Sequence, residues 1–177
     1  MPTTAAEHVA HLTAEIEDFP KPGILFRDLT PVFADADAFR AIIDDFGARF
    51  EGTFDAVAGV EARGFLLASA LAYATHTRLV PIRKAGKLPG EVLHEDYGLE
   101  YGAAALELRT GQLPQGTRVL ILDDVLATGG SCSAAVRLIE RAGYVVAGLG
   151  LVLELDGLGG REVLAGRDLY AIATEQD

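Results

Sequence analysis

The sequence predicts one α/β domain on a mainly parallel central sheet flanked by helices, and three observations carry that expectation. Residues 118–153 read as strand, helix, strand within about 35 residues, the spacing of a βαβ unit. Upstream, short apolar runs at 54–60 and 78–83 flank an Ala- and Leu-rich stretch, so the theme recurs. The chain has 177 residues, 50% of them hydrophobic. A chain of that length buries about 70% of the surface its unfolded form exposes, a core that needs no disulfide or structural metal.

Taken in order, residues 1–18 read as a weakly amphipathic helix. Residues 18–23, Asp-Phe-Pro-Lys-Pro-Gly, read as an extended arm, because each proline fixes its own φ and biases its predecessor away from helix. Phe39, Ile42, Ile43 and Phe46 fall at helical spacing in 36–50, and the run 54–60 that follows ends at a glycine as a buried strand would. Residues 64–75 are helical. Residues 78–83 form a strand whose Pro81 suggests an edge or a bulge. Residues 85–103 hold Gly86, Pro89, Gly90, Gly98 and Gly102, too many breakers for a helix, and suggest a mobile loop of the kind that covers active sites. Residues 104–109 return to strand. Val119-Leu120-Ile121-Leu122 is a continuous apolar strand with Asp123-Asp124 at its carboxyl end, residues 133–141 are helical, and 145–153 form the next strand. No repeat, linker or long charge run divides residues 1–177, so a single domain is expected.

Composition excludes several classes. Fifteen Lys and Arg stand against 26 Asp and Glu, a net charge of −11, which repels polyanions and argues against general nucleic-acid binding. Cys132 is the only cysteine, so neither an intrachain disulfide nor a Cys-rich zinc site can form. The four histidines show no zinc-ligand spacing beyond His8 and His11, and no metal cage is expected. With no apolar run long enough to span a bilayer and no leader-like N-terminus, a soluble protein of the reducing cytoplasm is expected, without a membrane partner.

In a parallel sheet, ligands bind beyond the carboxyl ends of the strands, which puts 61–64 and 123–131 in position for chemistry. The loop Ala127-Thr128-Gly129-Gly130-Ser131 offers two glycines, two hydroxyls and successive backbone N–H groups at a helix start, a cradle for one phosphate. Asp123 and Asp124 just before it can accept hydrogen bonds from a vicinal diol, or help place a magnesium ion held by a substrate. Diol plus phosphate points to a phosphorylated ribose. No Walker A occurs, and Gly148-Leu149-Gly150 lacks the context of a dinucleotide fingerprint.

The stretch from Val119 to Ser131 resembles the phosphoribosyl-pyrophosphate signature of the type I phosphoribosyltransferases, and its Leu-Ala-Thr-Gly-Gly form is similar to that of the adenine-specific branch. Three further segments agree with that branch in the right order. They are Asp18-Phe19-Pro20-Lys21-Pro22-Gly23 through Pro31, Gly59-Val60-Glu61-Ala62-Arg63-Gly64-Phe65, and Ile82-Arg83-Lys84-Ala85-Gly86-Lys87-Leu88-Pro89-Gly90 leading to Tyr97-Gly98-Leu99-Glu100-Tyr101-Gly102. The resemblance covers the chain from about residue 15 onward. It implies the type I fold with a small N-terminal hood at about 18–31 and a mobile catalytic loop at about 85–103. It also implies transfer of phosphoribose from phosphoribosyl pyrophosphate to adenine, giving AMP and pyrophosphate in purine salvage, with Mg2+ carried mainly by the substrate, in a homodimer.

The resemblance also assigns roles. Arg63, Lys84 and Lys87 would stabilise charge gathering on the leaving pyrophosphate. The chain has only three lysines against twelve arginines, and two of the three sit in this loop. Phe26 would stack on adenine while the backbone of Leu25 and Arg27 reads its edge. Glu100 would act as general acid/base at the purine imidazole ring, with Tyr101 closing the loop against water. Asp123, Asp124 and Ala127, Thr128, Gly129, Gly130, Ser131 would hold the ribose 5-phosphate.

Plainer roles stand beside these. The aspartates can cap a helix, Phe26 can be a core residue, the lysines can be solvated, and Glu100 can be one of several loop carboxylates. Cys132 suits a small packed residue. Two other functions compete: a transferase for another purine such as xanthine, and a regulator that binds phosphoribosyl pyrophosphate without transfer.

Overall fold

The computed structural model describes residues 3–99 and 102–176. In chain order the elements are α1 (Ala5–Leu12), β1 (Ala14–Glu17), β2 (Leu25–Asp28), α2 (Thr30–Ala34), α3 (Ala36–Arg49), β3 (Ala56–Val60), α4 (Gly64–Thr75), β4 (Arg78–Lys84), β5 (Val92–Leu99), β6 (Gly102–Arg109), β7 (Arg118–Leu126), α5 (Gly130–Arg141), β8 (Val145–Asp156), α6 (Gly160–Val163) and β9 (Leu169–Gln176). The main sheet runs β5-β6-β4-β3-β7-β8-β9. Strands β4, β3, β7, β8 and β9 are mutually parallel, and the hairpin β5–β6 extends the sheet through β6, which runs antiparallel to β4 and to β5. This is the mainly parallel α/β architecture that the sequence predicts.

The sheet is buried on both faces, which is why its strands read as continuous apolar runs rather than as alternation. Successive residues still divide between two cores. Ala56, Ala58, Val119 and Ile121 join the α5 residues Ala135, Leu138 and Ile139 on one face. Val57, Leu120 and Leu122 join Phe46 of α3 and Leu67 and Leu71 of α4 on the other. Local chemistry sets the helix starts: Thr4 and Glu7 form a reciprocal capping box on α1, and the Asp35 carboxylate accepts from Ala38 N at 2.8 Å at the start of α3.

Four expectations need correction. The N-terminal helix stops at Leu12, and residues 14–17 pair antiparallel with 25–28, so the hood is a β-hairpin beginning before residue 18. The arm 18–23 is therefore not extended. It is the hairpin's turn, closed by Gly23 N donating to Asp18 Oδ1 at 2.7 Å and by Ile24 N donating to the Lys21 carbonyl. Pro81 does not mark an edge strand: it pairs with Gly59, and β6 joins β4 only from Arg83 onward, so the missing N–H falls where the other side of β4 has no ladder. Most of the glycine-rich stretch 85–103 is ladder too, with residues 92–99 paired to 102–109. Isolated glycines are tolerated in a hairpin whose two strands support each other, which the count of breakers overlooks.

An ion pair at the amino ends of the strands gives a pH test. Arg118 donates to both Asp55 carboxylate oxygens, at 2.9 and 2.8 Å, and to the Gly52 carbonyl. Those hydrogen bonds hold the Asp55 carboxyl down to about 2. A carboxyl depressed in the folded state stabilises above its unfolded pKa and loses that contribution as pH falls through the folded value. The stability gap between wild type and Asp55→Asn should be present at pH 6 and close between about pH 4 and 2, as read by urea denaturation at each pH.

Candidate active site

The parallel strands end side by side, and two of them deliver the charged centre. Gly64 opens α4 directly against the end of β7: a Cβ there would stand 2.6 Å from the Leu122 carbonyl oxygen, so no other residue allows this approach. The approach puts Arg63, the residue before the helix, beside Asp124, with Nε 2.6 Å from Oδ2. The two are close in charge but not aligned for a hydrogen bond, and Oδ2 is buried without a donor. Asp123 is equally buried. Its Oδ1 accepts from Asp124 N at 2.9 Å, and burial first, then the neighbouring Asp124 charge, push its carboxyl well above the usual range. Neither aspartate caps α5, whose N-cap is Gly129 with no side-chain bond.

The glycine-rich loop follows. Gly129 holds φ at +79°, and the backbone of Gly160 packs against this loop so closely that a Cβ on Gly160 would lie 2.2 Å from the Ala127 carbonyl oxygen. Residues 125–132, with Tyr97 and Gly98 of β5, line a cavity of about 100 Å3, the volume of a few waters and enough for one phosphate group. Cys132 is buried behind it and its thiol is pushed up by desolvation, as a packed residue.

The hood closes a larger space of about 470 Å3 between Phe26 and Arg27 of β2, Arg63, Ala127 and Thr128 of the glycine-rich loop, Leu155 at the end of β8 and Leu158 after it. Phe26 is half-buried on this wall. Phe19 meets it edge-on at 5.1 Å, and the Arg63 guanidinium lies 5.9 Å from its ring centre. The Arg27 guanidinium is engaged elsewhere, with Glu15 and, at 2.8 Å, with Glu175 of β9. The pair with Glu15 closes the hairpin on itself, and the pair with Glu175 fastens the hood to the sheet. A second cavity of about 470 Å3 lies at the opposite end of the sheet, lined by Gly47, Phe54 and Thr75 with Glu51 as its one titratable group, and offers no comparable chemistry.

Lys84 at the end of β4 and Lys87 on the turn after it stand apart, outside both cavity linings. Glu61 organises that turn: it accepts from Lys87 Nζ at 2.7 Å and from Lys84 N at 2.9 Å, with Arg83 Nε at 3.4 Å, and these partners hold its carboxyl below the usual range. Glu100 and Tyr101 lie outside the described residues.

The structure thus brings together Leu25, Phe26, Arg27, Arg63, Asp123, Asp124 and residues 127–131 from the sequence-based set. The sequence reading passed over Leu155, Leu158, Gly160 and Tyr97. The signal for the first three was the turn Gly157-Leu158-Gly159-Gly160 at the carboxyl end of a buried strand, the same rule that singled out 123–131.

Residues 32–163 match the model of the phosphoribosyl transferase domain. An adenine phosphoribosyltransferase of Clavibacter michiganensis subsp. michiganensis is 65% identical over 172 residues, 97% of this chain and 98% of that protein. A crystal structure of adenine phosphoribosyltransferase from Thermoanaerobacter pseudethanolicus superposes with a TM-score of 0.91 at 43% identity, covering 96% of this chain and 99% of the other. The Saccharomyces cerevisiae enzyme, in complex with an imino-altritol bisphosphate and adenine, gives 0.90 at 36% identity, covering 95% and 98%.

The contact between the two glycine turns is testable. Gly160→Ala should displace residues 127–129 and weaken binding of inorganic phosphate by about tenfold or more, 1.4 kcal/mol. Calorimetric titration checks this, with a circular dichroism spectrum to show that the sheet survives.

Proposed function

The chain belongs to the phosphoribosyl transferase family, in the branch of pentosyltransferases that convert adenine and phosphoribosyl pyrophosphate to AMP and pyrophosphate in purine salvage, and from that premise we propose how its residues carry the reaction. The supporting observation is that a phosphate-sized cradle, two buried carboxylates and an aromatic-walled cavity lie in sequence along one edge of the sheet. That is the order of phosphate, ribose and base in the product.

The 5-phosphate sits on the backbone N–H groups and hydroxyls of 127–131, and Asp123 and Asp124 accept from the ribose diol. Adenine enters under the hood against Phe26. With the Arg27 guanidinium turned toward Glu15 and Glu175, Leu25 and Arg27 present backbone to the base edge, where an exocyclic amine and a carbonyl oxygen demand opposite partners. The purine ring nitrogen bonds to the anomeric carbon as the bond to pyrophosphate breaks with its electron pair. The ring proton passes to Glu100, and Tyr101 excludes water. Arg63, Lys84 and Lys87 stabilise the departing charge, which requires Arg63 to exchange Asp124 and Lys87 to exchange Glu61 for the pyrophosphate.

The donor set fits magnesium that arrives on the substrate. Asp124 Oδ2 is buried and lacks a hydrogen bond, an acceptor suited to a hard cation. Asp123 and Asp124 are the residues that would hold such an ion, which when bound neutralises part of the pyrophosphate charge.

A homodimer through α4 belongs to the proposal. The helix is apolar nearly all round, and its outward face keeps Leu66 51% and Tyr73 86% exposed, with Leu79 of β4 also exposed. The enzyme is proposed to be cytoplasmic: its single thiol is buried, and among the described residues no helix is long and apolar enough to cross a membrane.

Adenine, phosphoribosyl pyrophosphate and magnesium should yield AMP, while hypoxanthine, guanine and xanthine in parallel wells yield no nucleotide. Phe26→Ala should raise the KM for adenine by about tenfold, the loss of one stacking partner. Nucleotide formed from xanthine instead would move the specificity elsewhere. Tyr73→Asp should convert the proposed dimer to monomer in sedimentation velocity, and an unchanged dimer would assign another face.

A further inference from the structure

One carboxylate fastens the hairpin β5–β6 to α5. Glu95 accepts from Arg137 Nε and, at 2.5 Å, from Arg141 Nη1. The Arg141 nitrogen also donates to the His94 carbonyl at 2.8 Å, and Arg137 Nη1 reaches Ser133 Oγ at 2.8 Å in the first turn of the helix. The arginines are four residues apart, so they project from one face of α5 onto one point of the strand. They leave the Glu95 side chain only 18% exposed and hold its carboxyl below the usual range.

Tyr97 follows two residues on, on the same face of the strand. Its ring lies against the phosphate loop: a Cβ on Gly130 would stand 3.4 Å from Tyr97 Cδ2 and 3.5 Å from the Gly98 carbonyl oxygen. Tyr97 and Gly98 are the two cavity-lining residues that come from outside the continuous segment 125–132. One helix therefore carries the cradle at its first turn and the latch arginines further along.

We infer that Glu95, gripped by Arg137 and Arg141, is a positioning residue that sets Tyr97 as the roof of the phosphate cradle, and that this latch governs both retention of the ribose 5-phosphate end and exclusion of water from the sugar. The inference rests on the phosphoribosyl pyrophosphate assignment above. With the roof lifted, water reaches the anomeric carbon. Its oxygen bonds there, the bond to pyrophosphate breaks with its electron pair, and the water proton passes to solvent, giving ribose 5-phosphate and pyrophosphate in place of AMP.

The test compares wild type with Glu95→Gln, the Arg137→Ala/Arg141→Ala double variant, their triple combination and Tyr97→Ala, as full chains. Calorimetry gives the Kd for ribose 5-phosphate, and product analysis gives the ratio of AMP to ribose 5-phosphate formed from phosphoribosyl pyrophosphate, adenine and magnesium. Glu95→Gln and the double variant should each weaken ribose 5-phosphate by about tenfold and shift product toward hydrolysis. The triple variant should be no worse than either, because they break one unit, and Glu95→Asp should recover part of the loss. Tyr97→Ala, which keeps every ion pair, should reproduce the hydrolysis. An unchanged Kd and product ratio in Glu95→Gln, or hydrolysis unmoved by Tyr97→Ala, overturns the latch while leaving the family reaction intact. Wild type that binds no ribose 5-phosphate overturns the cradle itself and the latch with it.

Discussion

Two adjacent carboxylates buried at the end of β7 are the constraint from which the rest of the site follows. Asp123 and Asp124 are 8% and 7% exposed. Carboxylates that close together, out of water, resist ionising as a pair, and burial already drives Asp123 upward. A cation beside them offsets that charge, and the helix that starts against the strand end supplies it. Gly64 makes that start sterically possible, and Arg63 is the cation it delivers. Because Arg63 also lies over Phe26 and within 4.0 Å of Asp28, the same guanidinium joins the hood to the sheet. One residue therefore touches the proposed ribose, base and pyrophosphate positions together.

Around this centre the fold gains precision from backbone meeting backbone rather than from side chains. The turn after β8 docks on the phosphate loop through Gly129 and Gly160, where neither residue has room for a Cβ. Behind that contact, Arg161 donates to both oxygens of buried Glu154, with one distance of 2.8 Å, and keeps the turn in place. Loop and turn pack as one wall, and Val125, Ala127 and Thr128 line both cavities, so the spacing of the two cavities is set by the sheet that carries them.

The sheet and the phosphate loop were legible because each rests on local signals: apolar runs of strand length, a βαβ spacing, glycines and hydroxyls at a helix start. The hood hairpin was not. Ala14 to Glu17 alternates apolar and charged residues over only four positions, too short a run to stand out beside the helix before it, and its strand exists because Leu25 to Asp28 lies opposite it and Arg27 ties the pair to Glu175, a contact across most of the chain. Residues 92–99 were hidden similarly, since their glycines argue against regular structure until the partner strand is counted. Within the site, the motif residues were readable one by one, but the ion-pair partners of Lys87 and Arg63 follow from folding alone. Pairing is a property of distance, and spacing in sequence does not report it.

Those pairings also reconcile an acidic protein with an anionic substrate. At −11 the chain repels phosphate at long range, but salt screens that repulsion beyond about 8 to 10 Å, so capture depends on local donors. Of the nearby cations, Arg63 is held by Asp124, and Arg83 and Lys87 are held by Glu61. Lys84 alone of that loop offers its ammonium to solvent without a partner among the described residues. The Lys87–Glu61 pair is about half exposed on the lysine side, and such a pair is worth roughly 0.2 to 1 kcal/mol. A doubly charged pyrophosphate group that replaces one carboxylate oxygen with several gains more than this exchange costs. On the proposed mechanism the internal carboxylates serve as placeholders that keep the donors gathered until the pyrophosphate group takes their place. A site built from unpaired cations would bind the same anion more tightly and release it more slowly, which an enzyme with pyrophosphate as product cannot use.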